Sequence, residues 1–267
     1  MRREARVTAP SLRRMRREGE KISMLTAYDY PFARILDEAG IDVLLVGDSL
    51  ATCVQGHDTT LPVTVEEMIY HCRMVARAVR RSLVVGDLPF GSYQVSPELA
   101  VENSCRLLKE GGAHAVKLEG GVRVADTIAA IARMDVPVMG HVGLTPQSVH
   151  QMGGYRVQGR GGAGARVLED ALAVQEAGAF AIVLEGIPAE LAPEITRKLE
   201  IPTIGIGAGI GCDGQVLVLH DLLGLGEGSP PRFAREYVAL TEIVGKAVRM
   251  YAEDVHNQKF PAEHEQY

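Results

Sequence analysis

Apolar residues in this chain fall into short, nearly continuous runs separated by longer stretches of helical spacing. One unit of that pattern occurs three times: Glu38-Ala-Gly-Ile-Asp-Val-Leu-Leu-Val-Gly-Asp48, Glu110-Gly-Gly-Ala-His-Ala-Val-Lys-Leu-Glu-Gly120 and Glu176-Ala-Gly-Ala-Phe-Ala-Ile-Val-Leu-Glu-Gly186. Each copy starts as the end of a helix and passes a glycine suited to a left-handed C-cap. It then enters an apolar run that reads as a strand buried on both faces, and it ends on an acid: Asp48, Glu119 or Glu185. Eight such runs can be marked: Ile22–Ala27, Val43–Val46, Leu83–Val85, Ala115–Leu118, Pro137–Met139, Ala181–Leu184, Thr203–Ile206 and Val216–Leu219. Helical spacing predicts helices over Val65–Arg80, Pro97–Lys109, Ala165–Ala177 and Phe233–Tyr251, with Pro97 and Pro193 in first turns. Strand and helix alternating eight times predicts the α/β class and a (β/α)8 TIM barrel, with a right-handed crossover available after each strand.

Length agrees, since such a barrel takes about 250 residues and the chain has 267. No Pro/Ser/Gly-rich linker divides it, so one domain is expected over 1–267, with a core over 6–252 and a flexible tail over 257–267. The glycine-dense stretch 153–164 reads as a long βα loop at the active face. A net charge of −6 argues against a general nucleic-acid-binding surface. The basic run Arg13-Arg14-Met15-Arg16-Arg17 reads as the solvated face of a short N-terminal helix. No apolar stretch is long enough to span a membrane, and the Arg-rich start lacks the apolar region of a secretory signal. Cys53, Cys72, Cys105 and Cys212 have no paired spacing, which favours reduced thiols and a cytoplasmic location.

The strand ends then bring in the chemistry. Asp29, Asp48, Ser49, Asp87, Glu119, His141 and Glu185 all lie on the C-terminal side of their strands, the side that converges on one mouth of a barrel. Lys117 and Glu119 are two apart, so they point the same way while Val116 and Leu118 point toward the helices. Each residue has a plain structural alternative: an aspartate after a strand often caps the next helix, a lone histidine is often structural, and Lys117 could be half of an ion pair. Together they are harder to dismiss, because capping does not call for glutamate, lysine and histidine at several strand ends at once. Hard oxygen donors without paired Cys or His suit a Mg²⁺-type ion. Asp48 and Asp87, each ending a Val-Gly-Asp, are the pair expected to bind it. A 2-oxo acid could chelate such an ion, with Lys117 and His141 neutralising its carboxylate or oxyanion and Glu185 suited to proton transfer. Gly209-Ile-Gly-Cys-Asp-Gly214 spells G-x-G-x-x-G but follows the seventh strand, so a tight turn or a phosphate site is the better reading and no dinucleotide is assigned.

Longer segments carry a resemblance. Met24-Leu-Thr-Ala-Tyr-Asp-Tyr-Pro-Phe-Ala33, Gly86-Asp-Leu-Pro-Phe-Gly-Ser-Tyr93, Val116-Lys-Leu-Glu-Gly-Gly121, Pro137-Val-Met-Gly-His-Val-Gly-Leu-Thr-Pro-Gln-Ser148 and Ile201-Pro-Thr-Ile-Gly-Ile-Gly-Ala-Gly209 resemble the ketopantoate hydroxymethyltransferase family. The likeness runs over about residues 6 to 252 and keeps the order of the blocks. It implies transfer of the one-carbon unit of 5,10-methylenetetrahydrofolate to C3 of 3-methyl-2-oxobutanoate, giving 2-dehydropantoate through a Mg²⁺-chelated enolate. It places metal binding on Asp48 and Asp87, with Glu119 as an outer acid. It places substrate binding on Asp48, Ser49, Asp87, Lys117 and His141, and acid/base catalysis on Glu185. It also implies one Mg²⁺ per subunit and a homo-oligomer, often a decamer, with no nucleic-acid or membrane partner. Gly186 departs from the family, where a cysteine is common. Two rivals remain: a carbon–carbon lyase or mutase of the phosphoenolpyruvate/pyruvate barrels, whose isocitrate lyase-type Lys-x-Cys-Gly-His loop is absent here, and a catalytically silent barrel acting in assembly.

Overall fold

The computed structural model describes residues 5–226 and 231–267, so residues 1–4 and 227–230 of the expected domain lie outside the described residues. The described residues group into two compact units, 1–218 and 219–267. In the first, eight parallel strands close in the order β1 to β8: Ile22–Thr26, Val43–Val46, Leu83–Asp87, Ala115–Lys117, Val138–Gly143, Ala181–Glu185, Thr203–Ile206 and Gly214–Leu217. Helix α1 (Ala9–Arg17) precedes β1 and α2 (Tyr30–Ala39) follows it. The helices α3 (Leu50–Cys53) and α4 (Val65–Ala78) follow β2, α5 (Pro97–Lys109) follows β3 and α6 (Ala125–Ala132) follows β4. The short α7 (Val149–Met152) and then α8 (Gly164–Glu176) follow β5, and α9 (Leu191–Lys198) follows β6. The fold is the expected TIM barrel.

Alternation along each strand sends one set of side chains inward. Ile22, Met24, Val43, Leu45, Leu83, Val85, Ala115, Met139, Ala181, Val183, Ile204, Ile206 and Val216 form one buried cluster with Val7 and Leu12. Leu12 is on α1, so that helix closes the N-terminal end of the barrel, with Ala9 and Met15 packed on the same cluster. Arg16 departs from the solvated face expected of it. It pairs with Asp213 at 2.6 Å and donates to the carbonyls of Ile201, Thr196 and Leu199, which fastens α1 to the chain around β7 and β8.

The crossover expected between β7 and β8 is absent. Residues 207–213 alone join these parallel strands, and the G-x-G-x-x-G stretch forms that return. Gly214 is needed there because a Cβ would sit 2.5 Å from the Ile22 carbonyl oxygen of the neighbouring strand. The strand also starts earlier than expected, at Gly214 instead of Val216, with Gln215 exposed in place of an apolar residue. In the second unit, α10 (Leu219–Leu222) and α11 (Leu240–His256) are the α-helices among the described residues, and a 3-10 turn spans Glu263–Glu265. The predicted helix over 233–251 therefore begins seven residues late; it has no side-chain cap and no buried residue to fix its register. Among the described residues, no helix is long and apolar enough to cross a membrane and no disulfide joins the cysteines.

Candidate active site

Five charged or titratable side chains meet inside the C-terminal mouth. Asp48, Asp87, Lys117, Glu119 and His141 are between 1% and 5% exposed, and Glu185 lies at the rim with a side chain 15% exposed. Lys117 Nζ is 2.9 Å from Asp87 Oδ1, 3.9 Å from Glu119 Oε1 and 3.4 Å from His141 Nδ1. His141 Nδ1 is 3.6 Å from Glu119 Oε1, and its Nε2 is 3.2 Å from Glu185 Oε2. The backbone N–H of Asp48 donates to Asp87 Oδ2 at 3.2 Å. Strand register explains the meeting: Asp87 pairs with Lys117 across β3 and β4, and His141 with Val183 across β5 and β6. Gly143 ends β5 with φ +95°, where a Cβ would stand 2.3 Å from the Glu185 carbonyl oxygen. Its lack of a side chain lets the Glu185 backbone come this close.

The capping alternative separates the aspartates. Asp29 is a cap: its Oδ1 accepts from the Phe32 N–H at 2.9 Å at the start of α2. The carboxylates of Asp48 and Asp87 cap no helix, because the first accepts from Gln147 Nε2 at 2.9 Å and the second from the Asp48 N–H. Ser49 follows Asp48 directly, and its Oγ bonds the Tyr28 hydroxyl at 2.7 Å.

Gln147 and Tyr93 are the parts that sequence reasoning missed. Gln147 donates from its backbone N–H to Glu119 Oε2 at 3.0 Å and from Nε2 to Leu88 O at 3.1 Å as well as to Asp48. Its Oε1 accepts from the Tyr93 hydroxyl at 2.8 Å and from Gln94 Nε2 at 3.0 Å. One neutral residue, through its side-chain amide and its backbone N–H, thus ties the acids after β2 and β4 together. The Pro-Gln-Ser of the β5 loop was visible in the sequence, but nothing in its pattern distinguishes such an amide from a turn residue.

Electrostatics follow from a simple imbalance. Three buried carboxylates, Asp48, Asp87 and Glu119, face one ammonium, Lys117, leaving two negative charges unmatched. Burial pushes the Asp87 carboxyl up to about 7, with Lys117 opposing the rise and Asp48 adding to it. Burial, joined by the charges of Asp48 and Asp87, likewise holds Glu119 above the usual carboxylate range against the pull of Lys117. Burial also works against the Lys117 ammonium, yet the surrounding Asp87, Glu119 and Asp48 outweigh it and raise its pKa. Both partners of the Lys117–Asp87 pair shift upward, but for different reasons: burial chiefly raises the Asp87 carboxyl, whereas the surrounding carboxylates raise the Lys117 ammonium. Burial and then Lys117 depress His141, which keeps its imidazole neutral at pH 7.

Hydrogen bonding is also incomplete here. Asp87 Oδ1, Glu119 Oε1 and His141 Nε2 are buried without a well-angled hydrogen bond. Buried carboxylate oxygens with unfilled hydrogen-bonding capacity, all hard donors, together with three acids facing one ammonium fit a divalent Mg²⁺-type cation. Among the described residues, no three His, Cys, Asp or Glu side chains are grouped so as to hold a metal ion by themselves. Mg²⁺ accepts one or two carboxylates completed by water and substrate oxygens.

Comparison with known proteins bears on what this mouth does. The ketopantoate hydroxymethyltransferase family model matches residues 6–263. A 3-methyl-2-oxobutanoate hydroxymethyltransferase of Geobacter sulfurreducens is 59% identical over 257 residues, covering 96% of each chain. One of Pelobacter propionicus is 57% identical over 258 residues, covering 97% of this chain and 96% of that one. Among solved structures, a 2,3-dimethylmalate lyase of the PEP mutase/isocitrate lyase superfamily aligns with a TM-score of 0.60 at 18% identity, covering 95% of this chain and 89% of that one. At that identity the likeness carries the barrel fold alone.

Proposed function

The chain belongs to the ketopantoate hydroxymethyltransferase family, and from that premise we propose that it transfers the one-carbon unit of 5,10-methylenetetrahydrofolate to C3 of 3-methyl-2-oxobutanoate, giving 2-dehydropantoate. The observation that carries the reading is the meeting of Asp48, Asp87, Lys117, Glu119, His141 and Glu185 at one barrel mouth, where three buried carboxylates face one ammonium. A Mg²⁺-type ion held by Asp48 and Asp87 would supply Lewis-acid stabilisation of the negative charge that develops on the oxo acid. Glu119 stands behind these two and is held by the Gln147 N–H, which keeps its second oxygen turned to Lys117 and His141.

Overall the C3–H bond breaks, a bond forms between C3 and the methylene carbon, water supplies the hydroxyl oxygen and tetrahydrofolate leaves. Glu185 is the group placed to move a proton, at C3 or at the one-carbon unit. A neutral His141 with its proton on Nε2 faces Glu185 Oε2 at 3.2 Å and orients that carboxylate, while its Nδ1 faces the Lys117 ammonium at 3.4 Å. Lys117 in turn offers its cation to the substrate's carboxylate or oxyanion. Ser49, steered by Tyr28, is a further substrate contact at the edge of the mouth. The active form is proposed to be a cytoplasmic homo-oligomer, a decamer by family likeness.

NMR of product formation tests the reading, run with Mg²⁺ and with a chelator. Metal-dependent 2-dehydropantoate is the expected result. C3 proton exchange in D₂O without product would keep the site and discard the folate transfer in favour of a lyase or mutase reaction.

A further inference from the structure

Thr145 lies just beyond β5, between two acids of the mouth. The Leu144 N–H before it donates to the Glu185 carbonyl at 2.8 Å, and the Gln147 N–H two residues on donates to Glu119 Oε2 at 3.0 Å. The segment 144–147 thus runs from the end of β6 to the acid after β4, and Thr145 sits inside that span. It is 4% exposed, and its Oγ1 is buried with no hydrogen-bond partner among the described residues. The ordinary role for such a hydroxyl is closed. Thr145 precedes the turn Pro146–Ser148 with extended backbone, φ −115° and ψ 106°, as a helix cap does. Thr8 and Thr64 hold that position before α1 and α4, and each accepts from the N–H three residues on. At Thr145 the two amides a cap would use are engaged: the Gln147 N–H serves Glu119, and the Ser148 N–H serves the Thr145 carbonyl at 2.8 Å. A buried hydroxyl with neither a cap nor another protein partner costs stability in the free protein. A ligand that fills the mouth would offset that cost.

We infer that Thr145 is a substrate contact, its hydroxyl donating to an anionic oxygen of the bound 2-oxo acid. The inference rests on the oxo-acid reading above and adds to it a neutral donor from the β5 loop. The chemistry of the mouth selects this class of ligand. Asp48, Asp87, Glu119 and Glu185 supply carboxylates, which only accept hydrogen bonds when ionised. Lys117 supplies charge, whereas Thr145 supplies a donor that carries none and does not titrate. An oxo acid brings the acceptor oxygens that such a donor lacks. Thr60 Oγ1 is equally bare, but no hydrogen bond ties its neighbours to an acid of the mouth, so nothing places it there.

Equilibrium binding of 3-methyl-2-oxobutanoate to the intact protein, with Mg²⁺ and without folate, tests the contact. Thr145→Val keeps the shape and removes the hydroxyl. It should weaken binding by about tenfold, the size of one hydrogen bond to a charged group. Thr145→Ser, which keeps the hydroxyl, should retain most of the affinity. Thermal melts without ligand should run the other way. Thr145→Val should melt at or above wild type, by up to about 2 °C, because no bond is lost and a buried unpartnered group is removed. A hydroxyl that served the fold would not give both signs. Unchanged oxo-acid affinity in Thr145→Val would overturn the inference and leave the oxo-acid site standing. An equal loss in Thr145→Ser would put the effect on the methyl group and overturn it too. A ligand-free Thr145→Val protein that melts below wild type would mean that the hydroxyl is bonded within the protein, with the same consequence. No binding of 3-methyl-2-oxobutanoate to wild type would overturn the oxo-acid reading itself, and this inference with it.

Discussion

The two ends of the barrel are built from the same strands and treat polar groups in opposite ways. At the N-terminal end, polar groups are saturated. Asp37 accepts from the backbone N–H groups of Arg80, Arg81 and Ser82 and from the Ser82 hydroxyl, at 2.7–3.1 Å for the nearest contacts. Arg81 is paired with Asp42 and also donates to the carbonyls of Gly40 and Ile41. At the C-terminal end they are not. In the barrel unit, every described buried side-chain atom without a well-angled hydrogen bond lies toward a strand's C-terminal end or in the loop after it: on Gln55, Thr60, Asp87, Glu119, His141 and Thr145. Saturated groups hold the fold, whereas unsaturated ones are held for a ligand.

The sharpest break of that comparison is a pair of acid substitutions, one at each end. Glu185→Gln should lower turnover by about 10²–10⁴-fold, the usual weight of a general acid or base. Its melting temperature and metal binding should be unchanged; near wild-type turnover would remove Glu185 from the mechanism. Asp37→Ala should do the reverse. Three backbone donors and a hydroxyl lose their acceptor, which should cost about 2–4 kcal/mol in denaturant unfolding while the folded fraction keeps its kcat. The hydrogen bonds outweigh burial and hold the Asp37 pKa below the ordinary value. Its contribution is therefore present above the unfolded carboxylate pKa and disappears as pH falls through the folded one. An Asp37→Ala protein as stable as wild type would mean that saturation at this end is ornamental.

Much of this contrast could be read from the sequence, for physical reasons that differ by residue. Strand β2 matched its expected bounds because a strand covered on both faces shows as an unbroken apolar run, and β7 matched although Thr203 and Gly205 break its run. β5 is longer than expected because Gly140, His141 and Gly143 interrupt its run, although they belong to the ladder. The charged members of the site stood out because a charge in a buried strand end needs a reason. Gln147, Tyr93 and Tyr28 did not, since neutral hydrogen-bonding groups on loops have no periodicity and no charge to mark them. Asp29 and Asp48 look alike in sequence, each an acid after a strand, and only the partner of each carboxylate tells cap from site.

Acidity sharpens the comparison further. Asp87 is raised to about 7 in the fold, against an unfolded value of about 3.9. A folded pKa above the unfolded one means that this group's stabilising effect is complete below the unfolded value and is lost as pH rises through the folded one. In chelator, the melting temperature should therefore fall on the order of 5 °C between pH 5 and pH 8. Asp87→Asn should flatten that slope, leaving the part due to Glu119, and added Mg²⁺ should reverse it in wild type only. A slope shared by wild type and Asp87→Asn would place the surplus charge elsewhere.

The smallest expected effect falls on the residue that gives the open end what saturation it has. Gln147 Nε2 occupies Asp48 Oδ2 at 2.9 Å, and its backbone N–H occupies one oxygen of Glu119. Gln147→Leu removes the first bond and keeps the second, because the backbone donor survives. Asp48 would then be free to turn, and an outer partner of this kind is worth about tenfold in metal affinity. The expected result is a Mg²⁺ half-saturation raised by about that factor, with kcat at saturating metal nearly intact. Gln147→Glu separates orientation from charge. It restores a side chain of the same length but places a fourth carboxylate beside Asp48, so activity without excess Mg²⁺ should fall below that of Gln147→Leu, and the loss should shrink as Mg²⁺ is raised. Loss of kcat at saturating Mg²⁺ in both variants, with half-saturation unchanged, would mean that Gln147 acts on the reacting atoms and not through Asp48.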